Sequence, residues 1–134
     1  MNPMVYHLVP ALGALLVIAT LGLALLRQQL GLPGWVWALG LCLLFALWSA
    51  HAVASGGLLG FWAEHVRNAW SNQIWLDLLC AAGLAFVLLL PRARAVGMQP
   101  AWWAVAVLAT GSVGLLAMAA RCLWLERAAE NVNR

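Results

Sequence analysis

The chain has 134 residues, 66% of them hydrophobic and 8% charged, with a formal net charge of +3. That balance excludes a water-soluble globular domain, in which about a quarter of residues are charged, and it marks a membrane protein. The small basic excess flanks apolar runs, so nucleic acid is not needed to explain it.

The first apolar run, Val5 to Leu26, is long enough to cross a hydrocarbon core of ~30 Å, which takes about 20 helical residues. The opening "MNPMVYHLVP" lacks the basic segment of a signal peptide, and no small-residue cleavage site follows. This helix is expected to stay in the mature protein, with His7 near its start. After "RQQLGLPG", which carries Arg27, a second run spans Trp35 to Ser55. Trp35 and Trp37 open it, Trp48 sits deeper as a packing residue, and His51 lies one turn from its end.

The connection "GGLLGFWAEHVRNAWSN" then predicts a short amphipathic helix over about 58–71. Trp62, Val66 and Trp70 recur at i, i+4 and i+8, with Glu64, Arg67, Asn68 and Ser71 on the other side. It is expected to lie in the interface, as an anchor or as a lid over a polar mouth. The third span, Ile74 to Leu90, is the shortest and borrows length from Asn72 and Gln73. Asp77 stands about one turn into it. Past the basic loop "PRARAVGMQP", with Arg92 and Arg94, a fourth span runs from Ala101 to Leu125. Its small residues Ala106, Thr110, Gly114 and Ala117 form a stripe at helical spacing that ends in Arg121 and suits close helix approach.

The predicted fold class is therefore all-α: one membrane domain over 1–134, with four transmembrane helices in a bundle and an interfacial amphipathic helix between helices 2 and 3. Uninterrupted apolar runs exclude a β-barrel. Four spans place both termini and the 56–73 connection on one face, A, and the two short loops on the other, B. All four acids, Glu64, Asp77, Glu126 and Glu130, then map to face A. Trp35, Trp37, Trp102 and Trp103 gather at face B, and Trp62, Trp70, Trp75 and Trp124 at face A, as two aromatic belts. The basic residues divide almost evenly, with Arg67, Arg121, Arg127 and Arg134 at face A. The purely basic loops favour face B as the cytoplasmic side of a bacterial inner membrane, with both termini periplasmic.

An ionised group inside a span costs several kcal/mol unless it finds a partner, snorkels or meets water. A salt bridge between Asp77 and Arg121 is the simplest resolution. His51, Glu64, His65, Asp77 and Arg121 also outline a candidate ligand pocket at face A, suited to haem b, a quinone head group or a lipid. His7 and His51, on facing helices, are candidate axial ligands of a haem. A zinc site from His51, Glu64 and His65 lacks the usual tight ligand spacing, so no metal is assigned. Cys42, Cys80 and Cys122 read as packing residues, with a Cys80–Cys122 disulfide left open. No catalytic signature appears, and "TGSVG" lacks the lysine of a phosphate loop. The helix middles carry no charge, which disfavours proton-coupled export.

The run "FWAEHVRNAWSNQIWLDLL", then "PRARAVGMQPAWW", then "TGSVGLLAMAARCLWLER" resembles a bacterial family of small integral membrane proteins catalogued only as a domain of unknown function. The resemblance covers about residues 35–127 and rests on Glu64, Asn68, Asp77, Arg92, Arg94, Gly97, Met98 and Trp103. It implies bacterial origin and a cytoplasmic basic loop, and supplies no mechanism. The favoured function is a non-catalytic membrane subunit or scaffold that packs against membrane lipids and other integral membrane proteins in a larger, for instance energy-converting, complex. The alternative is an autonomous four-helix binder of haem, quinone or lipid.

Overall fold

The computed structural model describes residues 3–25 and 32–132. Arg27 and Arg134 lie outside the described residues. The chain divides into two compact units, Met1–Pro33 and Gly34–Arg134. The first contributes helix α1, Pro3–Leu25, which is apolar along its length. The second contains α2 (Gly34–Gly56), α3 (Gly60–His65), α4 (Ala69–Ala95), α5 (Pro100–Thr110) and α6 (Ser112–Val132).

Among the described residues three helices, α1, α2 and α4, are long and apolar enough to cross a membrane. The expected third span gains residues at both ends. Asn68, in extended backbone, caps α4 by accepting a hydrogen bond from the Ser71 amide at 2.9 Å, so the helix starts five residues before Ile74. Trp70 therefore belongs to α4, and the interfacial helix expected over 58–71 shrinks to the six residues of α3.

The expected fourth span is not a single helix, which corrects the four-helix bundle. Gly111 ends α5 at φ 59° and ψ −125°, a conformation closed to residues with a side chain, and the chain reverses into α6. Gly114 then faces α5 so closely that a Cβ there would lie 2.7 Å from the carbonyl of Ala106. Along a continuous helix these residues would be about 12 Å apart. The predicted small-residue stripe thus folds in two, and Ala106 and Gly114 meet across a hairpin.

The direction of α6 follows from its contacts. Leu123 packs over Gly34, where an added Cβ would meet it at 3.5 Å, and the Cys42 thiol donates to the Val113 carbonyl at 3.5 Å. So α6 runs antiparallel to α2, from about the middle of α2 back past its start. It also packs on the C-terminal half of α4, where Ala93, Met98, Met118 and Cys122 form the buried cluster, flanked by Phe86, Leu89, Trp103 and Leu125. Among the described residues α2 and α4 make no direct contact, and α6 touches both.

Most of the buried residues are small: Ala38, Cys42, Ala93, Gly114, Ala120 and Cys122. In lipid, burying an apolar side chain gains little over leaving it in acyl chains, so association depends on close packing. Gly34, Ala38 and Cys42 at i, i+4 and i+8 give α2 the flat face that α6 needs. We call the end formed by the start of α2 and the end of α4 end B, and the opposite end, with α3, end A.

Candidate functional site

Asp77 and Arg121 do not form the expected pair. Asp77 lies fifteen residues before Arg92 on α4, about 22 Å along the axis towards end A. Arg121 lies on α6 only five residues before Glu126, which contacts Arg92 at end B. The two charges are therefore about 15 Å apart along the bundle, and both are exposed.

The ion pair that does link α4 and α6 is Arg92–Glu126. Nε of Arg92 donates to Glu126 Oε1 at 2.9 Å and an Nη to Oε2 at 2.6 Å, a two-pronged geometry that fixes register as well as charge. The Arg92 hydrogen bond holds the Glu126 carboxyl below its ordinary value. The Cys122 thiol adds a weak contact to the same carboxylate at 3.7 Å. A four-span topology puts Arg92 and Glu126 on opposite faces and so conceals this pair. The signals that reveal it are Gly111 and Gly114 inside the last apolar run, and four charges between Arg121 and Glu130.

Of the other predicted site residues, Glu64 and His65 are on α3 and Asp77 is early on α4, all at end A. His51, one turn from the end of α2, is at that end too. Arg121 is removed from the set. Glu64 pairs locally with Arg67 at 3.1 Å, with both side chains 65% exposed, so water screens most of its value. The His65 Nδ1 lies 2.6 Å from the Phe61 carbonyl. Its ring stands edge-on to Trp75 at 4.4 Å, and Phe61 meets the same indole at 6.0 Å. This aromatic cluster fastens α3 to the first turns of α4.

His51 packs against Trp48 at 5.5 Å, and its Nε2 is buried without a hydrogen-bond partner among the described residues. His7 belongs to the first unit and His51 to the second. Among the described residues no three His, Cys, Asp or Glu side chains gather as metal ligands, and His51, Glu64 and His65 do not converge. Cys42, Cys80 and Cys122 are all free thiols, so the Cys80–Cys122 disulfide does not form.

No protein-family model, no curated protein and no solved structure matches the chain.

Proposed function

We propose that the chain is a non-catalytic integral membrane subunit or scaffold of a bacterial inner membrane, whose end A half seats a transmembrane helix of a partner. The observation that supports this is the uneven way in which α6 fills the second unit. It lies beside α2 only from Gly34 to about Cys42. Along the remaining length of α2, about 20 Å, the short helix α3 is the one neighbour that the described residues of this unit supply, and Leu43, Leu44 and Leu47 stand exposed there. The N-terminal stretch of α4 likewise exposes Ile74, Leu76 and Leu84, while α3 contacts both helices.

In this reading α2 and α4 cross the bilayer, and the α5–α6 hairpin dips from end B to about mid-depth and returns. Irregular backbone at such depth is tolerated where protein covers it, as α2 covers the Gly111 reversal through Cys42 and Val113. The hairpin also shifts the near-even division of basic residues in favour of one orientation. Among the described residues Arg92, Arg94, Arg121 and Arg127 fall at end B and Arg67 at end A. End B is then cytoplasmic, and the C-terminal end of α6 with it, in place of the periplasmic position that four spans imply. The family resemblance agrees with a cytoplasmic basic loop.

The test is the mass and composition of the assembly that carries the tagged protein out of its native membrane in a mild detergent. A hetero-complex in which a photo-crosslinker at Leu47 captures another membrane protein is the expected result. A monomer or small homo-oligomer with no captured partner overturns the subunit reading.

The unpartnered His51 Nε2 supports a second reading, an autonomous binder of haem b or quinone. A Soret band in purified protein that His51→Ala abolishes would favour it, and colourless protein without bound quinone would dismiss it.

A further inference from the structure

The displacement of Arg121 from Asp77 leaves a cation on the surface of α6 with no acidic partner in reach. Its depth is fixed by its neighbours. Leu123 packs over Gly34, the first residue of α2, so Arg121 lies about 3 Å deeper, level with Val36. Across the hairpin, where Ala106 faces Gly114, Arg121 comes level with Gln99 and Pro100, the point at which α5 begins. Arg121 is thus held at the level where the hairpin enters and leaves the bilayer. Its side chain is exposed and shares a helix face with Trp124, itself 47% exposed.

The surrounding charge has one sign. Glu126 is committed to Arg92 through both of its oxygens. Arg94, Arg121 and Arg127 make no salt bridge among the described residues, and Glu130 is the only further acid at this end. A guanidinium at headgroup depth beside an exposed indole, in a basic field, is complementary to a phosphate ester anchored in the same leaflet. We infer that Arg121, with Trp124 packing along the glycerol region, binds the headgroup phosphate of an anionic phospholipid in the end B leaflet. Arg94 and Arg127 attract the same lipid class without a fixed contact.

This inference rests on the membrane placement proposed above and not on the partner subunit. The test uses the full chain in nanodiscs of phosphatidylcholine with a minor fraction of phosphatidylglycerol, and reads by native mass spectrometry the lipid retained on the protein. The wild type is expected to retain phosphatidylglycerol in preference to phosphatidylcholine. Arg121→Gln lowers that preference about five-fold, the weight of one arginine near an anionic surface. Arg121→Lys keeps most of it, and Arg67→Gln at end A leaves it intact. An unchanged preference in Arg121→Gln overturns the site. Loss of the preference in millimolar inorganic phosphate also overturns it, by assigning the arginine to a free anion. A C-terminal fluorescent-protein fusion tests the placement separately: fluorescence in both wild type and Arg121→Gln keeps end B cytoplasmic, and a dark wild-type fusion overturns the placement itself.

Discussion

At Gly114 the second unit packs backbone on backbone and at Gly34 and Ala93 side chains close over small residues, whereas from Leu43 to Gly56 and from Ala69 to Leu84 leucines stand exposed. Apolar residues line the helices of both halves, so apolar character alone does not separate them. Residue size contributes: Gly, Ala and Cys at helical spacing let α6 approach α2 and α4 at end B, while leucines stand exposed at end A. In lipid, where apolar burial gains little, that size pattern decides which half of the second unit is closed by its own helices, and the proposed partner helix belongs at the other.

The sharpest way to break this comparison is to put the same side chain in both halves. Gly114→Leu forces atoms into the Ala106 backbone at 2.7 Å and is expected to cost about 4 kcal/mol or more, losing the hairpin. Gly83→Leu, where nothing lies within 4 Å of the added Cβ, is expected to melt like the wild type in detergent. Equal melting of the two variants would refute the hairpin packing.

Truncations sharpen it further. Met118 is fully buried, so Met118→Ala should cost about 2–4 kcal/mol. Leu47→Ala, 71% exposed, should leave the isolated protein unchanged and weaken only the complex with its partner. At end A the edge-on pair of His65 and Trp75 joins α3 to α4. Trp75→Ala is expected to cost about 0.5–1.5 kcal/mol, seen as faster amide exchange over Gly60–His65 with little change in α6.

The smallest effect separates the two ion-pair assignments. Glu126→Gln should cost about 0.5–1 kcal/mol, because the Arg92 side chain is 51% and that of Glu126 29% exposed. Asp77→Asn should cost nothing, the reverse of what the sequence alone predicts. The Glu126 carboxyl sits below its ordinary 4.5 in the folded protein. Its contribution is therefore complete above that ordinary value and is lost as pH falls through the lower, folded one. Melting between pH 7 and pH 3 should fall less steeply in Glu126→Gln; identical slopes would show that the pair adds nothing.

The sequence by itself determined the all-helical membrane character, the position of α2 and the cores of α1 and α4, because runs of about 20 apolar residues have only one satisfactory backbone conformation in hydrocarbon. It also picked out Gly114 and Ala106 as close-packing residues, and Asp77 and Arg121 as charges in need of an explanation. Tertiary structure alone decided how these features combine. A run such as Ala101 to Leu125 satisfies the length and hydropathy of a span whether it continues or folds back, so its local pattern does not reveal which. The choice lay in Gly111, which can adopt the reversed backbone, and in a groove between Gly34 and Cys42 shallow enough to receive α6. Once the hairpin turns there, Arg121 and Glu126 move to the opposite end from Asp77, and every pairing inferred from a four-span count changes with them.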